Sequence, residues 1–170
     1  ILNKKGITAS EVKYIIVSHF HADHIGGLLD FPAATIICSK EAYNEAVTLK
    51  GIRAVSKGVL SKLLPSIKNT QIQFIEEIAS TRNINEAGII EYSLLNIKEL
   101  KIISLPGHAK AMLGFIYKNK HSHILYATDA SWSYDTYKNK ILPKKIVKLF
   151  FDSWSDFIGT QEKLRHYEKN

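Results

Sequence analysis

Residues 12–28 read VKYIIVSHFHADHIGGL: an apolar run rich in β-branched residues, then three of the chain's seven histidines and an aspartate within six positions, then a glycine pair. The length and composition of the run predict a buried strand over 12–18. Side chains alternate along an extended chain, so His19 and His21 leave the strand end on the same side and can reach one metal ion. Asp23 and His24 follow where the backbone turns into a helix, aimed at a neighbouring position. Two adjacent metal positions therefore fit within one short loop. An isolated loop histidine is ordinarily solvated, but three with an aspartate at a strand end point to metal binding.

Outward from this loop, strand-like and helix-like stretches alternate. HIGGLLDF (24–31) predicts a short helix stopped by Pro32, and ATIICS (34–39) a second strand. Residues 40–50 and 52–64 have helical periodicity and run up to Pro65. Strands are expected at 72–77, 88–95 and 100–105, followed by a hairpin of 113–118 and 123–128 about the polar turn NKHS. From Tyr134 onward a helical tail is expected, with Trp154, Phe157, Ile158, Gln161 and Leu164 on one face. This interleaving predicts an α/β layered domain without internal repeats. At 170 residues and 45% hydrophobic composition, residues 1–170 are expected to form one globular unit.

A di-metal centre needs ligands from elsewhere in the chain. SLPGHAK places His108 after a strand and a Pro-Gly turn, and LYATDAS places Asp129 at the end of the next apolar strand. Both positions suit ligands projecting from one rim of a sheet. The single cysteine, Cys38, excludes a disulfide framework and a Cys-based zinc ribbon, and fits a reducing compartment such as the cytoplasm. No apolar run approaches the length of a membrane span, so no membrane partner is expected. The net charge of +7 permits nucleic acid or acidic ligands without requiring them.

The order His-x-His-x-Asp-His, then Pro-Gly-His, then Thr-Asp-Ala resembles the metallo-β-lactamase superfamily. The likeness runs from VKYIIVSHFHADHIGGL through ISLPGHAKAMLGFIY to ILYATDA. It implies an αβ/βα sandwich with metals at one edge of the sheets. His19, His21 and His108 would bind the first metal, Asp23 and His24 the second, and Asp129 would bridge the two. Nitrogen and oxygen donors without thiolate suit two zinc ions, with iron or manganese also allowed. Two such ions about 3.5–4 Å apart lower the pKa of water and present hydroxide to a carbonyl or phosphoryl group, so hydrolysis is the expected chemistry.

Within the superfamily, the long stretch between His24 and His108 resembles the N-acyl homoserine lactonase-like branch. Those lactonases carry Asp-Ala-Ser-Tyr at the bridging aspartate, the tyrosine polarising the substrate carbonyl. Here Asp129-Ala130-Ser131 is followed by Trp132, which has no phenolic proton, and Tyr134 is the nearest substitute. The expected catalytic residues are thus Asp23, which would also orient the hydroxide, Asp129 and Tyr134. The favoured substrate is a small ester, lactone or thioester; a nuclease or a non-catalytic binding relative is the alternative.

The family also carries a further strand-end histidine, which is expected beyond Asn170. His166 lies among charged residues of the helical tail and is not expected to be a ligand, and His121 and His123 read as solvated turn residues. The basic stretch 138–148 reads as a solvated helix face. Only eleven residues precede VKYIIVS, where the family places a β-hairpin or two, so an internal portion of a longer protein is expected. The bridging assignment predicts that Asp129→Asn lowers metal occupancy and hydrolysis together, whereas Asp135→Asn changes neither. Elemental analysis and turnover of the two variants side by side check it.

Overall fold

The computed structural model describes residues 2–65, 70–94 and 97–169. It divides into two compact units, Ile1–Glu77 and Ile78–Asn170.

The first unit is built on three parallel strands in the order β1 (Tyr14–Ile16), β2 (Thr35–Cys38), β3 (Ile72–Phe74), with Tyr14 opposite Thr35 and Ile36 opposite Ile72. The central strand β2 is buried along its whole length, as an all-parallel strand requires. Between the strands run the helices α1 (Ala22–Ile25), α2 (Lys40–Thr48) and α3 (Gly51–Ser56). A fourth helical turn, α4 (Ile75–Ile78), follows β3 directly, so the strand expected over 72–77 ends at Phe74. Glu76 explains the break. Its carboxylate accepts from the Ser39 hydroxyl at 2.7 Å and from the Lys40 N–H at 3.0 Å, satisfying donors at the start of α2. The neighbouring Glu77 meets Lys40 Nζ. Alternation beyond Phe74 loses to this cap.

Helix α2 buries Ala42, Tyr43 and Ala46. The Tyr43 ring lies between Phe20 and Phe74, at 5.7 and 5.9 Å, and its hydroxyl donates to the Pro65 carbonyl. The helix expected over 52–64 stops at Ser56. Gly58 sits at φ +69 with its N–H on the Val55 carbonyl, while the Val59 N–H reaches back to Ala54. This pair of bonds is the Schellman ending that a left-handed glycine permits.

The second unit is an antiparallel meander of β4 (Thr81–Ile84), β5 (Ile90–Leu94), β6 (Ile97–Ser104), β7 (Leu113–Lys118) and β8 (His123–Tyr126). The expected hairpin is present as β7–β8. Its turn is folded by Asn119, whose Oδ1 accepts the N–H groups of His121 and Ser122 at 2.8 Å. Strand β4 was not legible, because TRNI is exposed at every position and shows no alternation. It is an edge strand set by the Asn85 turn, where Asn85 Oδ1 holds the N–H groups of Ala87 and Ile89. Leu95, the last residue of the expected strand 88–95, lies outside the described residues.

The tail differs most from expectation. Instead of one helix there are α5 (Tyr134–Lys138), a 3-10 turn over Lys145–Phe150 and α6 (Trp154–Lys169). Lys140, with φ 56, and Pro143 interrupt the helix. The basic stretch 138–148 is therefore mostly irregular, although its lysines are exposed as expected. On α6, Phe157, Gln161 and Leu164 are buried, with Trp154 and Ile158 half-buried, so the expected face is the packed one. Leu164 joins Ile89, Ile103, Leu105, Met112 and Ile116 in the core of this unit. Among the described residues no helix is long and apolar enough to cross a membrane.

Burial, reinforced by the Glu76 carboxylate, pushes the Cys38 thiol up from its ordinary value to about 12. The folded chain holds the neutral thiol, and the unfolded chain ionises it near the ordinary value. The stabilising contribution is therefore complete below that value and is lost as pH rises from there towards 12. Native protein is expected to resist a thiol reagent at pH 8 and to react at once when unfolded. Between about pH 9 and 11 the wild type should lose stability more steeply than Cys38→Ala in denaturant titrations.

Candidate metal centre

In the first unit the end of β1 delivers a group of imidazoles. His19 is fully buried and its Nδ1 lies 3.1 Å from the Ser18 hydroxyl. The His19 ring meets His21 edge to face at 4.5 Å between centroids, as alternation along an extended chain predicts. It meets His24 at 4.1 Å. His24 Nε2 is 3.5 Å from Asp23 Oδ2, and the Asp23 side chain is largely exposed. His21 is the residue at which extended backbone passes into α1, with φ −66 and ψ 147. Gly58 secures it. Its carbonyl accepts the Ala22 N–H at 2.8 Å, and a Cβ at this position would press on the His21 ring at 3.1 Å. The same left-handed glycine that ends α3 thus leaves room for the His21 imidazole.

Three imidazoles gathered this closely offer nitrogen donors to a metal ion. The donor set fits a divalent cation of the nitrogen- and oxygen-binding kind.

In the second unit His108 and Asp129 form a pair, with Nε2 and Oδ2 3.2 Å apart. Both loops hang from α6 and the residues just before it. The Pro106 carbonyl accepts from the Thr160 hydroxyl at 2.7 Å, the Gly107 carbonyl from the Ser153 N–H at 3.0 Å, and the His108 carbonyl from the Asp152 N–H at 3.2 Å. Gly107 has φ +131, and an added Cβ would overlap the backbone of Phe157. Asp129 stands in a 3-10 turn after Thr128, a β-branched residue held at φ 44. The Thr128 hydroxyl accepts the Asp129 N–H, and buried Gln161 donates through Nε2 to the Ala130 carbonyl at 3.0 Å. The His108 ring is flanked perpendicularly by Phe151 at 5.0 Å and by Trp132 at 6.3 Å.

The remaining expected residues fall as follows. Tyr134 opens α5, is exposed, and packs on Tyr137 at 6.2 Å with Lys138 Nζ over its ring. Trp132 is the aromatic residue whose ring meets His108 on this turn. His121 is exposed in the β7–β8 turn, and exposed His123 contacts Tyr167. His166 is exposed on α6. Sequence reading missed four positioning residues: Gly58, Gly107, Phe151 and Gln161. The Pro-Gly pair before His108 was visible, but not the helix that demands it, and Gln161 stood out as the one amide on an apolar face.

Gly107→Ala is expected to cost more than about 2 kcal/mol in chemical denaturation, because both the backbone angle and the clash with Phe157 oppose it. Gly159→Ala, on the same helix with open space around it, should instead stabilise by about 0.5–1 kcal/mol.

The family model of the metallo-beta-lactamase superfamily matches residues 1–165. The N-acyl homoserine lactonase AttM of Agrobacterium fabrum is 29% identical over 163 residues, covering 95% of this chain and 56% of the relative. AttM of Rhizobium radiobacter is 28% identical over the same shares. This chain thus spans little more than half the length of these curated relatives. Among solved structures, a mutant of B. thuringiensis AiiA with N-decanoyl-L-homoserine bound at its active site superposes with TM-score 0.72 at 18% identity, over 99% of this chain and 56% of that one. AidC, a dizinc quorum-quenching lactonase in complex with a product, gives 0.64 at 19%, over 99% and 56%. The expected resemblance is borne out: the chain belongs to the metallo-beta-lactamase superfamily and has its mixed α/β fold.

Proposed function

We propose that the protein is a metal-dependent hydrolase of a lactone or a related ester or thioester, with His19, His21 and His108 on one metal, Asp23 and His24 on a second, and Asp129 shared between them. The observation that carries this reading is the trio of imidazoles gathered at the end of β1 with centroids 4.1–4.5 Å apart. His108 and Asp129, assigned to the same centre by the order of the motifs, stand paired within the second unit. The lactonase relatives support the substrate class, and AidC, a dizinc lactonase, supports zinc, although the donors also suit iron or manganese. Bound divalent ions supply Lewis acidity, toward water and toward the carbonyl oxygen that gains charge in the transition state.

The chain's own residues do the rest. His19 Nδ1 shares a hydrogen bond with the Ser18 hydroxyl at 3.1 Å, and with the proton on Nδ1 the ring would present the Nε2 lone pair. Asp129 Oδ2 lies against His108 Nε2, so one loop orients the donor of the other. Asp23, whose exposed carboxylate stands beside His24, is the group proposed to orient the attacking water. Phe151, buried against His108, closes that side of the imidazole to solvent. Tyr134 is the phenol proposed to donate to the substrate carbonyl. A phosphodiesterase reading is favoured only by the net charge of +7 and the exposed lysines of 138–148.

In the intact protein, His19→Ala is expected to remove bound metal and to lower hydrolysis on the order of 100-fold or more. Elemental analysis, with turnover of N-acyl homoserine lactones, thioesters and RNA measured in parallel, is the test. Unchanged metal content in His19→Ala would sink the ligand assignment, and cleavage of RNA alone would replace the ester reading with the phosphodiesterase one. Tyr134→Phe should lower kcat for the ester while leaving metal content unchanged.

A further inference from the structure

We infer that Trp132 is the platform on which the apolar acyl or aryl part of the substrate rests while its carbonyl is held beside His108 and Asp129. The inference builds on the hydrolase reading above and names the substrate class within it: esters or lactones with an extended apolar acyl group, in preference to acetyl-sized ones.

Three observations carry it. The Trp132 ring stands perpendicular to the His108 imidazole, with 6.3 Å between centroids, and remains 54% exposed. A large apolar ring open to water is unremarkable alone, but this one borders the side chain assigned to the reacting centre. Second, the ring is backed by a rigid support: Phe151, only 4% exposed, touches Trp132 at 6.0 Å and His108 at 5.0 Å, and is itself packed on Trp154 and Phe157. A ring held from behind loses little conformational freedom when a ligand covers its open face, so the buried area is retained as affinity. Third, the segment that delivers Phe151 also brings Leu149 and Phe150, exposed at 73% and 56%. Lys148 in that segment lies over Trp154. Trp132 follows Asp129 by three residues and lies two beyond Ala130, whose carbonyl Gln161 of α6 holds.

The chain has two tryptophans, so Trp154→Phe leaves Trp132 as the sole indole. In that background the intact protein is titrated with the N-decanoyl lactam analogue of homoserine lactone, which resists hydrolysis, and with its N-acetyl counterpart. The decanoyl probe is expected to shift the emission to shorter wavelength as the exposed ring loses water, and the acetyl probe to leave it in place. In turnover, Trp132→Ala should lower the ratio of decanoyl to acetyl kcat/KM by about tenfold through KM, and Trp132→Phe should restore most of it. An emission unmoved by saturating decanoyl probe, or an equal loss for both acyl lengths through kcat, would overturn the inference. An emission shift without turnover of any ester would leave Trp132 as the apolar platform and refute the hydrolase reading instead.

Discussion

The close approach of α6 to the Gly107 backbone is the constraint on which the second unit depends. There is no space for a Cβ between Gly107 and Phe157, and within that contact the carbonyls of Pro106, Gly107 and His108 are each taken by a donor from residues 152–160. One turn further along, Gln161 reaches the Ala130 carbonyl. A single helix thus sets the loop that carries His108 and the turn that carries Asp129, and the 3.2 Å separation of their side chains follows. Leaving the buried Ala130 carbonyl without a donor would cost roughly 1–3 kcal/mol, which is why an amide is retained on an otherwise apolar helix face. The apolar neighbours of Gln161 on that face, Phe157 and Leu164, anchor the helix, and the polar groups aim the loops.

The first unit reaches the same end by a shorter route. A partly exposed parallel strand runs out into three imidazoles, and a left-handed glycine at the end of α3 provides both the Ala22 acceptor and the bare surface against which His21 packs. The three rings concentrate nitrogen donors at one end of the strand. Such a gathering of nitrogen donors makes the group a candidate site for a divalent cation. Strain is stored beside the other donors as well: Thr128 holds φ 44 immediately before Asp129, a conformation that persists only where its surroundings enforce it.

The aromatic cluster around His108 links support to chemistry. Phe151 is buried and Trp132 is open, so one ring excludes water from the imidazole and the other presents apolar area to whatever lies beside it. In the lactonase-like pattern a tyrosine supplies a phenol on this turn; a tryptophan there exchanges a proton donor for surface. Tyr134, packed on Tyr137 and Lys138, occupies a different part of the turn.

The family, the mixed α/β class, the pairing of β7 with β8, and the buried face of α6 were legible in the residues themselves, because each rests on local periodicity or on motif spacing. The proximity of His19 to His21 was legible for the same reason, since alternation along an extended chain is a local rule. What could not be read were features decided by partners distant in sequence. Strand β3 ends at Phe74 because Glu76 is drawn to the start of α2, 36 residues away. Strand β4 exists because β5 pairs with it, not because TRNI favours extension. The tail breaks into three pieces where Lys140 turns left-handed and Pro143 removes a donor, although its apolar spacing alone continues as a helix. Gly107 shows in sequence only as half of a Pro-Gly turn and Gln161 only as an amide on an apolar face; the packing of α6 against two loops gives one its need for no side chain and the other its need for an amide. Local pattern determined which side chains are the candidates for the chemistry; tertiary contact decided how they are held, because the atoms that hold them come from segments that meet only when the chain is folded.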